Sequence, residues 1–175
     1  MAECNLLTGG IPKDCKPNIG GLFTTMYMTE RSNVTAYVKG SPASNITGIT
    51  MASPAKFYPF VFNKGTSGFV ESQTFDNPTG NSLNTQTITL VLNHREQSKK
   101  DKIVMLGSFK ELAIIVKTNN GNYFVMGEVG GCVLSTNEGG SGVAKSDANN
   151  YTLTFIGEEA ELANEVTEAA VLAVI

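Results

Sequence analysis

His94 is the single histidine of the chain, and that alone narrows the chemistry. General acid–base catalysis needs a titrating group held by a second polar partner, and zinc needs several His, Cys or acidic ligands at tight spacing. No local motif ties His94 to such a partner, so a surface or helix-capping role is the better reading. The three cysteines, Cys4, Cys15 and Cys132, have no metal-ligand spacing. Their odd number argues against a disulfide framework, although Cys4 and Cys15 could pair if the N-terminal segment folds back. No Gly-x-Ser-x-Gly nucleophile turn is present.

The stretch Gly139-Gly140-Ser141-Gly142-Val143-Ala144-Lys145-Ser146 looks at first like a phosphate-binding loop. Ala144 stands where the second glycine of that motif is required, and an Asn-rich turn and a strand follow in place of a helix. It reads as a flexible loop. Three glycosylation triplets, at Asn33, Asn45 and Asn150, are what an Asn- and Thr-rich chain produces by chance. Phe57, Tyr58, Phe60 and Phe62 could stack on a sugar, but core and edge packing accounts for them better. The expectation is a non-enzymatic protein without a catalytic residue, a cofactor site or a metal site.

The surrounding composition suits strands and turns. The chain has 175 residues, enough for one domain that buries about 70% of its unfolded surface. Charged residues make up only 17%, replaced largely by Gly, Asn, Thr and Ser. Net charge is −3, which offers no overall basic balance for nucleic acid. From Ser146 onward there is no Lys or Arg, while Asp147, Glu158, Glu159, Glu161, Glu165 and Glu168 are acidic. That segment is either a solvated tail or an acidic surface that repels DNA or meets a basic neighbour. The opening Met-Ala-Glu-Cys-Asn-Leu-Leu has no signal-peptide pattern, and the longest apolar run, 169–175, is far short of a membrane span. Folding in a reducing cytoplasm, without membrane insertion, is expected.

Residues 1–20 read as an N-terminal arm, broken by Gly9, Gly10, Pro12, Pro17 and Gly20. Residues 21–175 read as a single β-sandwich domain. Strand signals recur at 22–29, 33–38, 46–51, 57–62, 69–75, 85–92, 112–116, 123–126, 132–134 and 151–156. Pro59 confines its strand to an edge or a bulge. Asn120-Gly121 between two apolar runs predicts a hairpin. One helix is predicted over 94–106, with Asn93 and Glu96 as a capping box, Gly107 as its stop, and Ile103, Val104 and Leu106 docked. The last segment, 158–175, is ambiguous between helix and strand.

In order, these pieces resemble the tail tube proteins of tailed bacteriophages. The resemblance rests on Cys4 through Cys15-Lys16, then Ile19-Gly20-Gly21-Leu22, then Phe69-Val70-Glu71. It continues in Asn84-Thr85-Gln86-Thr87-Ile88-Thr89-Leu90, the helix, Leu112 to Val116, and Asn120-Gly121-Asn122-Tyr123-Phe124. It closes on Gly142-Val143-Ala144, Asp147 and Tyr151-Thr152-Leu153-Thr154-Phe155. The resemblance implies a mainly β fold, a sandwich or barrel flanked by one helix. It implies six copies in a ring, rings stacked into a hollow tube, and DNA passing through without specific binding. The partners would be the chain itself and other phage tail proteins, the location the virion tail, after assembly in the host cytoplasm. The arm would order only in the assembly. The tube's inner wall is expected to be acidic or neutral, with Lys99, Lys100 and Lys102 facing elsewhere. Alternatives are another phage ring, neck or tail-completion protein, or a carbohydrate-binding, adhesin-like β-sandwich.

Overall fold

The computed structural model describes residues 10, 11, 13, 16–40, 45–76, 78–108 and 110–175. Cys4, Cys15 and much of the expected arm lie outside the described residues. The architecture is mainly β, with eleven strands and two α-helices among the described residues. The strands are β1 (Leu22–Glu30), β2 (Val34–Lys39), β3 (Ile46–Met51), β4 (Tyr58–Val61), β5 (Gly68–Asp76) and β6 (Asn81–Asn93). Helix α1 (Gln97–Leu106) follows, then β7 (Leu112–Thr118), β8 (Tyr123–Met126), β9 (Cys132–Gly140) and β10 (Asn150–Glu159). The chain closes with β11 (Asn164–Val166) and the short helix α2 (Glu168–Leu172).

The strands form one mixed sheet in the order β2-β3-β11-β8-β7-β9-β10-β6-β5, with β1 added beside β7 and β4 beside β1. Strand β7 explains the layering. Its run Leu112-Ala113-Ile114-Ile115-Val116 is apolar at every position, the pattern of a strand covered on both faces. Leu112, Ile114 and Val116 face a core that includes Met26 and Met28 of β1, Ile88 and Leu90 of β6, and Leu153 and Phe155 of β10. The half-sheet β9-β10-β6-β5 therefore folds back over the half that holds β1 and β7. Ala113 and Ile115 face a second core with Ile46, Phe57, Val166, Val171 and Val174. Each fully buried side chain of this size contributes about 1.5–3 kcal/mol.

Turn chemistry is read directly from the sequence at Asn120-Gly121. Gly121 takes φ +96°, open to glycine, while its N–H donates to the Thr118 carbonyl and Thr118 N–H donates to the Asn122 carbonyl. This closes the β7–β8 hairpin as expected. Pro59 sits in β4, which among the described residues pairs on one side only, with β1.

Three expectations need correction. The helix begins at Gln97, three residues late, because β6 runs on to pair Asn93 with Asn150. His94 then turns the chain at φ +63°, and the N-cap is Glu96, with no side-chain cap bond, so the predicted capping box is absent. Val104 is exposed; Ile103 and Leu106 carry the docking. The ambiguous tail resolves into β11 between β3 and β8 and then α2, whose Ala170 and Val171 seal the second core. Its acidic residues are not simply solvated: Lys39 reaches Glu161 at 3.7 Å, and Lys117 reaches Glu168 at 3.6 Å.

Candidate assembly surface

The half-sheet β9-β10-β6-β5 has two unlike faces. Side chains alternate along a strand, and paired residues share a face. Ile88, Leu90, Leu153 and Phe155 point into the core. The opposite face follows from the register. Val70, Thr87, Ile156 and Val133 form one row across all four strands, and Gly68, Thr89, Thr154 and Thr136 form the next. On one side lies the row Ser72, Thr85 and Glu158, and on the other Thr152 with Glu138. None of these side chains is buried. Threonine and valine suit such a half-exposed pleated surface. The face carries Glu138, Glu158 and, at the hairpin tip, Asp76, but no Lys or Arg.

Its edges are the more unusual feature. An unpaired strand is a template for another chain, and proteins blunt such edges with short strands, Pro, Lys or bulges. Strand β2 is six residues long, breaks register twice against β3 and ends in Lys39. Strand β4 has four residues and contains Pro59. Both are defended. Strands β5 and β9 have nine residues each and contain no Lys, Arg or Pro. Among the described residues the second side of β5 has no partner, and that of β9 is paired only at Cys132, with Leu112. One bulge, at Ser135, interrupts β9 against β10. Val70 on β5 is 67% exposed. Each neighbour in β9-β10-β6-β5 is antiparallel to the next, so β5 runs opposite to β9. A β5 strand laid beside the β9 of another copy would continue the antiparallel ladder.

A polar network stiffens the Glu159 end of this half-sheet. Buried Gln86 accepts from Gly127 N–H at 3.0 Å and donates to Glu71 at 3.3 Å, and Glu71 accepts from Ala163 N–H. Glu159 accepts from the amides of Val129 and Gly130, both at 2.9 Å. Lys39 binds Glu128 at 3.1 Å, a hydrogen bond that raises the lysine pKa, and Glu128 accepts from Asn164. These partners leave a cavity of about 190 Å³ whose carboxylates are already engaged. Among the described residues no three His, Cys, Asp or Glu side chains stand together as a metal site.

The residues singled out for chemistry are scattered. His94 is exposed in its turn. The 141–149 loop leads into β10, and the Asp147 carboxylate accepts from Val143 and Ala144 N–H at 2.7 and 2.8 Å. Those bonds hold the Asp147 pKa down and occupy the amides a phosphate would need. Cys132 is buried beside Gly157, and burial pushes its thiol up to about 12. Phe57 and Phe62 are in the cores, while Tyr58 stays exposed on β4. The undefended edges have no distinguishing signal in the sequence, because nearly every strand run lacks Lys and Pro, and which strands lie at an edge follows only from the pairing. No helix of the described residues is long and apolar enough to cross a membrane. Comparison with known proteins returns no match among family models, curated proteins or solved structures.

Proposed function

We propose that this chain is a non-enzymatic structural subunit of a phage tail tube, closing into a ring through β5 of one copy and β9 of the next. The observation that carries the reading is the pair of long, undefended edges on one half-sheet, equal in length and opposite in direction. Contacts of this head-to-tail kind close into rings when the rotation allows. The family resemblance supplies the number of copies, six, and the stacking of rings into a channel for DNA.

In such a ring the threonine-rich face would form the inner wall. DNA carries one negative charge per ~1.7 Å of duplex axis and is held by Lys and Arg. A wall with carboxylates and no cations lets it slide. Lys99, Lys100 and Lys102 sit on α1, which docks through Ile103 and Leu106 on the core side of the half-sheet. A carbohydrate-binding reading loses its stacking platform, because two of its four aromatics are buried.

Native mass spectrometry and negative-stain electron microscopy of the purified chain at high concentration test the reading. Closed rings or tubes are the expected outcome. A chain that stays monomeric at millimolar concentration would overturn it.

A further inference from the structure

The half-sheet has two ends, and the register places different chemistry at each. Asn93 pairs with Asn150 at one end and Asn84 with Glu159 at the other. Nine residues separate the two levels on β6, about 30 Å of extended strand.

Beyond the Asn84 level the β5–β6 hairpin continues alone. Three further pairs, Thr74–Leu83, Phe75–Ser82 and Asp76–Asn81, carry it about 10 Å past the last residue of β10. The tip holds an apolar side chain in solvent: Phe75 is 67% exposed, with Leu83 exposed nearby. Thr79 Oγ1 donates to the Asp76 carboxylate, which holds the acid at the tip, on the face of the hairpin opposite to Phe75. Among the described residues Asp76 has no ion pair.

The opposite end is concave. The start of α1 and the 141–149 loop border a shallow, open cleft of about 450 Å³, lined by Arg95, Lys100, Ser141 and Tyr151 among others. The Arg95 guanidinium lies 4.9 Å over the Tyr151 ring. The cleft also contains Glu96, but that carboxylate is taken by Lys99 at 3.3 Å. Arg95 and Lys100 have no ion-pair partner among the described residues, so the cleft presents two unneutralised cations, one of them lying over the buried Tyr151 ring.

We infer that the cleft at the start of α1 is a socket for the β5–β6 hairpin tip of a second copy stacked end to end, with Phe75 on the outer face of the Arg95 guanidinium and Asp76 against Lys100. The two features sit at opposite ends of the same half-sheet, so one copy can give a tip and receive another without limit. Each supplies what the other lacks: a projecting aromatic with a carboxylate against a recess with cations. An aromatic placed over a guanidinium and a charge pair at the rim set both affinity and register. The inference deepens the ring reading by naming the axial contact, and it is separable from it because Phe75 and Asp76, the last two residues of β5, project past β10, beyond the stretch of β5 that lies level with β10 and β9.

Charge exchange tests it in the full chain. Asp76→Lys and Lys100→Asp are both at exposed positions, and circular dichroism checks that each variant folds. Each is expected to weaken the stacking step about tenfold, leaving rings without long tubes in negative stain. The double exchange, Asp76→Lys with Lys100→Asp, restores the opposite pairing and should recover tubes, and Phe75→Ser should lose them. Disulfide trapping gives a direct readout. Mixed Asp76→Cys and Gln97→Cys proteins should cross-link under mild oxidation, and a Lys64→Cys control should not. Tubes of unchanged length in Asp76→Lys and Phe75→Ser, or a double exchange no better than either single, would overturn the socket while leaving rings intact. Loss of rings in the wild type would instead overturn the β5–β9 reading.

Discussion

The backbone of Leu112 pairs with that of Cys132, and on this rung the two halves of the sheet meet. Gly127 sits against it. A Cβ there would lie 2.7 Å from both the Leu112 carbonyl oxygen and the Cys132 nitrogen, and the residue holds φ +67°. Neither backbone atom can retreat without opening the corner. Gly127→Ala should therefore cost about 2–4 kcal/mol, measured by urea unfolding. A loss below about 0.5 kcal/mol would mean the corner is soft.

Cys132 gives the fold a pH dependence. Its folded thiol pKa is raised by burial to about 12, against 9.0 in an open chain. A raised folded pKa means the contribution is complete below pH 9 and is lost as pH climbs toward 12, because the unfolded chain releases its proton first. Stability should fall above pH 9, with about 1.4 kcal/mol per pH unit assigned to this thiol. Lys39, also raised by its bond to Glu128, is lost in the same direction. Unfolding curves at pH 8 and 10 for wild type and Cys132→Ala should differ by one group's share of the slope. Equal slopes would remove Cys132 from the account.

The β5 edge can be blunted without touching the core. Ser72 and Thr74 are exposed on that strand. Ser72→Lys with Thr74→Lys should leave stability within about 0.5 kcal/mol and abolish rings, because lysine on an edge discourages strand addition. Sedimentation velocity distinguishes ring from monomer. Rings that survive the pair of lysines would place the contact elsewhere.

The threonine-rich face should be indifferent to assembly but not to DNA. Thr87→Lys and Thr154→Lys put two cations on neighbouring strands of a face that carries none. Assemblies of this variant should retain duplex DNA at low salt and release it as salt rises. Fluorescently labelled DNA measures the retention, and the wild type is expected to show little. Equal retention in the two proteins would mean this face does not line the channel.

The turn of the β7–β8 hairpin also holds the root of the N-terminal segment. Asn120 Oδ1 accepts from Ile19 N–H at 3.0 Å, Asn119 Nδ2 donates to the Gly20 carbonyl at 2.8 Å, and Asn119 N–H donates to the Gly21 carbonyl at 3.1 Å. Asn119→Ala and Asn120→Ala should each cost about 0.5–1.5 kcal/mol. Hydrogen exchange of the Ile19 amide should rise in the second variant only.

Much of this architecture was legible because strands advertise themselves by local pattern. Tyr123–Met126 and Ile46–Met51 fall where alternation and Asn-Gly punctuation place them. The start of α1 was not legible, because Asn93 and Glu96 form a capping pattern that the long β6–β10 ladder overrides. The extension of β9 to Gly140 was hidden for a related reason. Its outer residues, Asn137 to Gly140, are poor strand formers held by pairing with β10. Buried Gln86 and Asn84, and half-buried Glu71, have no sequence signature at all, since their partners are brought in by distant segments. The face without lysine was visible as composition, but which strands shared it required the register.

The pairing of β1 with β7 carries a cost in time. Glu30 pairs with Leu112, which follows it by 82 residues. At about 5–20 residues per second, a ribosome needs roughly 4–16 s to bring the partner strand out. Throughout that interval β1 has β4 on one side and nothing on the other, and β5 and β6 are complete before any half-sheet can cover their apolar face. Slow synthesis would prolong the exposure of these same sticky strands. Translation speed and chaperone supply should therefore govern the yield of correctly folded chain more than the stability of the finished fold does.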